Sequence, residues 1–314
     1  MGGSLERADN PERDPPISRL RRFCARFENV LLVAVAVAAG VAVPEPGSLL
    51  EPIVTPLVIF LVYTSLRGLR LAEIELRSYA LLVGLSLCLS YLVLPAGGIG
   101  IARAVLADGA VLGFAIALSV PTTAGSAIVW SRFAGGDVQL ATTTSIGSLL
   151  LGPVATPLIL TALVGTGTAV PATAILVDLA VIVVGGLALA AVVPAATISA
   201  GTVDRGATLA ILLLIYTSVA GVDSAGIAAG EFLGIVCVSV LLLCFGLVLT
   251  LLCTRGFGID RPQALSLFFT SSLKNLGIAL LVALAFADPL VVLAIITYYV
   301  LSQLSGAVLA DVIS

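Results

Sequence analysis

The sequence predicts an all-α polytopic membrane protein with ten transmembrane helices, and composition is the first observation behind this prediction. Of the 314 residues, 60% are hydrophobic and 11% are charged, and the mean hydropathy is +1.20. A soluble domain carries about 25% charged residues, and a disordered chain is far less apolar. With the polar first 28 residues set aside, the remaining 286 provide roughly ten crossings of about 20 residues each.

The second observation is a series of apolar segments separated by short polar connections. Residues 1–28 are polar and charged and predict a disordered cytoplasmic tail; a cleaved signal peptide formed with the run 29–43 is the alternative. The tail is favoured because it is long, and because the run after it completes the repeat described below. Ten segments follow the tail, at about 29–43, 49–66, 77–95, 108–133, 137–165, 171–196, 206–222, 228–253, 261–286 and 289–311.

The positions of the arginines predict an orientation with both termini in the cytoplasm. When the N-terminus is placed there and the segments alternate, every arginine of the connections except Arg103 lies on the cytoplasmic side, in agreement with the positive-inside rule. We therefore expect an integral protein of the cell (plasma) membrane. The cytoplasmic arginines are Arg67, Arg70, Arg77, Arg132, Arg205, Arg255 and Arg261.

The third observation is an internal symmetry. Ten segments divide into two halves of five, residues 29–165 and 166–314. An odd number of crossings followed by its copy gives two repeats of opposite orientation, as in many secondary transporters. The sequence therefore predicts two inverted five-helix repeats, which we expect to divide further into a panel and a core.

The fourth and ninth segments, which are symmetry mates in this arrangement, are both interrupted. The fourth breaks at 119–127 around Pro121, and the ninth breaks at 270–277. Matched interruptions indicate a transporter binding site, because unwound backbone at membrane depth must face protein or a water-filled cavity. The alternative is a simple kink whose Ser and Thr residues bond back to their own helix.

Hydroxyl side chains in the first break and on the segment after it are candidate site residues. They are Thr122, Thr123, Ser126 and Ser145. Hydroxyl and carbonyl oxygens suit a hard cation, and the hydroxyl and amide hydrogens of the same stretch suit an oxyanion. The alternative for each residue is that a small side chain lets membrane helices pack closely.

Lys274 is the only lysine of the chain and lies in the middle of the ninth segment. At 1.5 Å per residue it is too deep to reach either membrane surface easily. An ammonium at that depth costs at least ~2.5–3.5 kcal/mol, so it must face a cavity, find an anion or lose its proton. Asp178, which lies about two turns into the sixth segment, is a candidate charge partner, and a purely structural ion pair is the alternative role.

Several other function classes are disfavoured by composition. The chain has no histidine, its five cysteines form no CxxC pair, and its formal net charge is −3, so we expect no metal, no cofactor and no nucleic-acid partner. No Walker A pattern supports ATP-driven transport. We do not expect an enzyme, although a Ser–Lys dyad of Ser126 or Ser145 with Lys274 is an alternative, as is a non-transporting receptor.

Two stretches resemble the bile acid:sodium symporter family, within the bile, arsenite and riboflavin transporter-type superfamily. The first stretch is similar to the fourth and fifth helices of the family and covers residues 121–157, PTTAGSAIVWSRFAGGDVQLATTTSIGSLLLGPVATP. In those family helices, a Pro-Gly-Gly-Thr-Ala-Ser-Asn break precedes a Gly-Asp-Val-Ala-Leu turn and a Pro-x-x-Thr-Pro motif. Residues 264–310 are similar to its ninth and tenth helices, where an Ile-Glu-x-Gly-x-Gln-Asn-Ser-Gly break precedes a closing Ser-Gly. The resemblance implies a divergent, prokaryotic-type member and the ten-helix inverted repeat.

The resemblance also implies which residues stand at the two sodium sites of the family. Three positions retain the family's chemistry: Ser126 and Asn275 keep the family residue, and Ser145 keeps a fifth-helix hydroxyl. Four positions differ: alanines replace ligands at Ala127 and Ala141, Thr270 stands where the family has a glutamate, and Lys274 stands where it has a glutamine. A site that has lost a carboxylate and gained an ammonium disfavours sodium by Coulomb repulsion. We therefore expect Lys274 to replace the cation.

The predicted function is secondary active transport of a small organic anion by alternating access, with sodium coupling in doubt. Coupling to protons through Lys274 and uncoupled transport are both open, and the expected partners are the anionic substrate, the lipid bilayer and a coupling ion, either a proton or sodium. The alternatives are an ordinary sodium/organic-anion symporter and an auxin-efflux-type carrier. An arsenite exporter is disfavoured because the fourth segment contains no cysteine.

Overall fold

The computed structural model describes residues 28–67, 76–165, 170–220, 228–286 and 288–313, and these are almost entirely helical. The predicted disordered tail, up to residue 27, and Arg70 lie outside the described residues. We number the helices to match the predicted segments and divide α3, α4 and α9 into two parts each. Their bounds are α1 Glu28–Ala42, α2 Val54–Leu66, α3a Leu76–Cys88, α3b Leu94–Arg103, α4a Asp108–Ser119, α4b Ala124–Phe133, α5 Val138–Val164, α6 Ala172–Val192, α7 Ala200–Ala220, α8 Ala229–Phe257, α9a Arg261–Ser272, α9b Leu276–Ala283 and α10 Pro289–Ile313.

Six helices in the described part of the chain are long and apolar enough to cross a membrane. They are α3, α5, α6, α7, α8 and α10, whereas α1, α2 and α4a are shorter apolar helices. The fourth and ninth segments fall short of this length because each is divided into two short helices, as the sequence predicted. Many large apolar side chains, such as Leu81, Val184 and Leu241, are exposed on the outer surface, which suits contact with lipid.

The third helix extends farther than the sequence predicted. The predicted segment ends at about residue 95, which is a proline, and proline normally ends or kinks a helix. In the structure, a π-helical turn at Leu89–Val93 joins α3a to α3b, and the helix continues to Arg103. The wider turn accommodates the proline, and short π-helical insertions of this kind occur frequently at functional sites.

The helices pack as two groups. In the first, which we call the panel, α1 packs against α7, and α2 packs against both α6 and α7. The second group, which we call the core, contains α3, α4, α5, α8, α9 and α10, with α4a against α10 and α9a against α3, α5 and α8. The interface between α5 and α6 joins the two groups.

Close helix contacts depend on small residues. A Cβ at Gly113 of α4a would lie 2.6 Å from the backbone oxygen of Val291 on α10, and one at Gly186 of α6 would lie 2.3 Å from a Val62 methyl on α2. Membrane helices commonly associate through such small residues, because no hydrophobic driving force acts between helices in lipid. The tight contact of α4a with α10 fixes the position of the first break within the core.

Candidate functional site

The break in α4 lies within the stretch where the sequence placed it. α4a ends at Ser119, and the Val120 amide donates to the Ile116 carbonyl at 3.2 Å. Pro121 lacks an N–H and holds the residue before it in an extended conformation, which Val120 adopts (φ −75°, ψ 159°). α4b begins at Ala124, so residues 120–123 present non-helical backbone inside an apolar segment.

The break in α9 also lies within its predicted stretch. α9a ends at Ser272, and Leu273 and Asn275 are extended. The Asn275 side chain then caps α9b, because its Oδ1 accepts from the Ile278 amide at 3.1 Å. Three extended residues therefore separate two short helices of 12 and 8 residues.

The two breaks lie side by side and form a short antiparallel bridge between Thr122 and Lys274. Such pairing satisfies backbone groups that would otherwise be unpaired in an apolar environment. Two backbone hydrogen bonds hold the bridge, from Thr123 N to Leu273 O at 3.2 Å and from Asn275 N to Pro121 O at 2.9 Å. The predicted site residues of α4 and α9 are thereby brought together.

The side chains of Thr122 and Thr270 form further hydrogen bonds at this crossing. The Thr122 hydroxyl donates to the Thr270 carbonyl at 2.6 Å, and the Thr122 amide donates to Ser148 Oγ at 2.9 Å. The Thr270 hydroxyl donates to the Ser266 carbonyl and lies 2.7 Å from Ser86 Oγ. Both threonine hydroxyls are therefore already engaged in hydrogen bonds within the protein.

Lys274 is buried, with 4% of its surface exposed, and its ammonium is held by neutral groups of α3. Nζ donates to the Ser90 carbonyl at 2.8 Å and to Ser90 Oγ at 2.7 Å, and it lies 5.2 Å from the centre of the Tyr91 ring. A small cavity of about 10 Å³ adjoins Lys274 and Asn275 and is lined further by α4a and α10. Its size suits about one water molecule.

The sequence did not predict the part that α3 and α5 play in this site. Ser86, Ser90 and Tyr91 of α3 and Ser148 of α5 are all buried there. Tyr91 donates from its hydroxyl to the Ser148 carbonyl at 2.8 Å. The signal that was available is Pro95 inside an apolar helical segment, since a proline there removes a backbone donor and leaves a carbonyl free for another partner.

A larger cavity of about 410 Å³ lies between α1, α4b, α7 and α10. It is bounded by apolar side chains of all four helices together with a few polar ones: Ser126, Trp130, Asp204, Thr208, Tyr299 and Gln303. Ser126 hydrogen-bonds to Tyr299, which lines both this cavity and the small one beside Lys274. The described lining residues carry one charged side chain, that of Asp204.

The remaining predicted site residues lie apart from the crossing or differ from expectation. Ser145 is fully buried on α5, and its hydroxyl has no hydrogen-bond partner within the described part of the chain. Asp178 lies on an exposed face of α6, whereas Lys274 is buried among α3, α4 and α10. The structure therefore does not bring Asp178 to Lys274, because the panel helix that carries it turns this side chain outward.

Comparison with known proteins agrees with this architecture. Residues 27–314 match the sequence model of the SBF-like CPA transporter family, which is related to the bile acid:sodium symporters. A search of curated proteins finds no match. The family match and the apolar helices together identify an integral membrane protein of a transporter family.

Proposed function

Because the chain belongs to the SBF-like CPA transporter family, we propose that it is a secondary transporter of a small organic anion that works by alternating access. Lys274 replaces the coupling cation in this proposal. In this proposal the chain crosses the membrane ten times, in two inverted repeats, residues 29–165 and 166–314, which follow a cytoplasmic tail. The observation that carries the proposal is the buried ammonium of Lys274 at the crossing of two interrupted helices.

Helix packing supports the inverted repeat. If each of α1 to α5 corresponds to the helix five places later, the contact of α1 with α7 becomes that of α6 with α2. Likewise, the contact of α3 with α4 becomes that of α8 with α9, and the contact of α4 with α10 becomes that of α9 with α5. Each of these pairs is in contact in the structure.

The bridge between the two breaks has the same symmetry. Exchanging Pro121 with Leu273 and Thr123 with Asn275 converts one of its two backbone hydrogen bonds into the other. Every antiparallel bridge has a local two-fold axis, so the bridge is compatible with the inverted repeat. An axis of this kind lies in the membrane plane of inverted-repeat transporters, where it places the site near the bilayer midplane.

The surroundings of Lys274 support its role as a built-in cation. The resemblance places Ala127 and Ala141 at sodium ligands, and neither side chain has an oxygen. The hydroxyl of Thr270, which stands at a family glutamate, is bonded to Ser266 and Ser86. Since an ammonium already occupies the crossing, sodium would meet Coulomb repulsion in place of a carboxylate. Transport is then either coupled to protons through Lys274 or uncoupled.

Substrate binds, in this proposal, in the large cavity beside the crossing, and Ser126 is the predicted site residue that lines it. Cavities of 300–1,000 Å³ hold small organic molecules, and this one measures about 410 Å³. Asp204 lies at the end of the cavity where α7 begins, so the anionic group of the substrate points away from it and towards Tyr299, which also lines the small cavity beside Lys274. In the predicted orientation this cavity faces the cytoplasm.

Thermal stability measured with and without sodium tests the built-in cation. A specifically bound ion raises the melting temperature of the native protein with a saturating dose response. We expect the purified wild-type protein to melt at the same temperature in sodium and in potassium at equal ionic strength. We also expect a pH range in which the melting temperature of the wild-type protein changes and the melting temperature of Lys274→Gln does not.

The control variant is Arg132→Gln, which removes one positive charge from an exposed position. The titratable groups packed near Lys274 are Tyr91, Tyr298 and Tyr299, and all remain in Lys274→Gln, so the difference between the two proteins isolates the lysine. Stabilisation of the wild type by sodium but not potassium would contradict the proposal and favour an ordinary sodium symporter. An unchanged pH dependence in Lys274→Gln would exclude proton coupling through this residue.

A further inference from the structure

The π-helical turn of α3 leaves one backbone carbonyl without its usual donors. In an α-helix the Ser90 carbonyl would accept from the amide of Leu94, but here that amide donates to the Leu89 carbonyl. The next amide along the chain would belong to Pro95, which has no N–H. The Ser90 carbonyl is thus open to a donor from outside the helix, and Lys274 Nζ supplies it at 2.8 Å.

Three features of this turn match an ammonium group. Two oxygen acceptors, the carbonyl and the hydroxyl of Ser90, lie 2.8 and 2.7 Å from Nζ. The ring of Tyr91 lies on another side, with its centre 5.2 Å away, within the range of a cation–π contact. A hard metal ion instead requires several oxygen ligands around it. The turn therefore suits a directional N–H donor better than an alkali cation.

The Tyr91 ring is held in place by a hydrogen-bond network. Its hydroxyl donates to the Ser148 carbonyl at 2.8 Å, and Ser148 Oγ lies 3.0 Å from the same hydroxyl. Ser148 Oγ also accepts from the Thr122 amide in the break of α4. Because the ring is anchored to α5 and through it to α4, its face is fixed independently of Lys274.

We propose that Ser90 and Tyr91 form a receptor for a primary ammonium group, which Lys274 fills in the wild-type protein. The inference rests on the proposed role of Lys274 as a built-in cation. It adds that residues of α3, and not the lysine itself, select an ammonium group over sodium. The emptied receptor of a lysine-truncated variant therefore binds a small alkylammonium ion.

Chemical rescue of Lys274→Ala tests the receptor. This change removes a propylammonium fragment, so the probe is n-propylammonium chloride, added to the purified variant at neutral pH in a buffer free of primary amines. We expect a saturating rise in melting temperature. Sodium chloride at equal ionic strength should give no such rise. Tetramethylammonium, which can contact the ring but donates no hydrogen bond, should give a much smaller one.

Second substitutions in the Lys274→Ala background assign the effect to α3. Ser90→Ala removes one oxygen acceptor and Tyr91→Leu removes the ring face, and each should weaken propylammonium binding roughly ten-fold or more. Tyr91→Phe retains the ring and should bind more tightly than Tyr91→Leu. The matched control is Ser239→Ala on α8, which removes a buried hydroxyl that donates to the Ile235 carbonyl of its own helix, and it should leave binding unchanged.

The results that would overturn the receptor differ from those that would overturn the proposed function. The receptor would be overturned if sodium and propylammonium stabilised Lys274→Ala equally. It would also be overturned if Ser90→Ala and Tyr91→Leu left propylammonium binding unchanged. Sodium-specific stabilisation of the wild type would instead overturn the proposed function. If Lys274→Ala does not fold, a double-mutant cycle between Lys274→Met and Tyr91→Leu replaces the rescue. A coupling within error of zero in that cycle would equally overturn the receptor.

Discussion

At the residue scale, the crossing depends on single hydrogen bonds to carbonyls at helix ends. The Thr270 carbonyl lies in the last turn of α9a, where helical carbonyls lack an amide four residues ahead. The Thr122 hydroxyl supplies the donor at 2.6 Å. The Thr250 hydroxyl, by contrast, donates to the Gly246 carbonyl of its own continuous helix. The two threonines are therefore equally buried but differ in whether their hydroxyl joins two helices.

Thr122→Val should therefore destabilise the protein more than Thr250→Val. The first change keeps the shape of the side chain but leaves the Thr270 carbonyl unpaired, at a cost of about 1–2 kcal/mol. The second removes an extra bond from a carbonyl in the interior of a continuous helix, and should cost less. Reversible unfolding of both variants in the same detergent measures the difference, and equal losses of stability would show that the interhelical bond contributes nothing special.

At the element scale, α4a and α10 approach too closely to admit a side chain at their contact. A Cβ at Gly113 would meet the Val291 carbonyl oxygen at 2.6 Å and the Ala294 Cβ at 2.8 Å. Backbone cannot move aside as a flexible side chain can. Since α4a leads directly into the first break, any separation of these helices also displaces the bridge to α9.

Gly113→Ala should accordingly lower stability by about 1–3 kcal/mol, as overpacking does. Gly100→Ala in α3b is the matched control, because nothing lies within 4 Å of its Cβ position. The control should be neutral or slightly stabilising, since alanine favours a helix by up to about 1 kcal/mol over glycine. Thermal melting of both variants is the measurement. A neutral Gly113→Ala would mean that α4a and α10 pack less tightly than described.

At the scale of the whole molecule, the panel and the core enclose one side of the crossing. The large cavity lies between panel helices α1 and α7 and core helices α4b and α10. Arg67 at the end of α2 donates to the carbonyls of Ala195 and Ile198, between α6 and α7, so these ends lie on one side of the membrane. Arg103 donates to the Leu163 carbonyl and joins the ends of α3 and α5 in the same way.

Cysteine labelling checks the proposed orientation and the access to the cavity. In a cysteine-free background, Thr208→Cys in the cavity should react with a membrane-impermeant maleimide in inside-out vesicles and be protected in right-side-out vesicles. Val105→Cys, an exposed position between α3 and α4, should show the opposite pattern. If both positions react from the same side, the inverted orientation of the repeats is wrong.

The sequence by itself determined the helical membrane class, the location of both breaks and the unusual position of Lys274. These follow from local properties: long apolar segments, a proline without an N–H, and an isolated ammonium within a hydrophobic run. The resemblance to the bile acid:sodium symporters pointed to relatives of the family that the comparison showed, the SBF-like CPA transporter family. The inverted repeat remains a prediction that the packing supports, and the substrate class remains a prediction.

Only the tertiary structure decided which groups surround the ammonium. Ser90 and Tyr91 lie far from Lys274 in sequence, and their role depends on the register of α3 against α9. Asp178, whose depth along α6 made it a candidate partner, faces outward because its position on the helix circumference is set by packing. Depth in a membrane can be read from distance along the chain, whereas the direction of a side chain depends on which helices it meets. The same reason explains why the predicted third segment ended near residue 95, since only the packed core shows the π-helical turn through which the helix continues to Arg103.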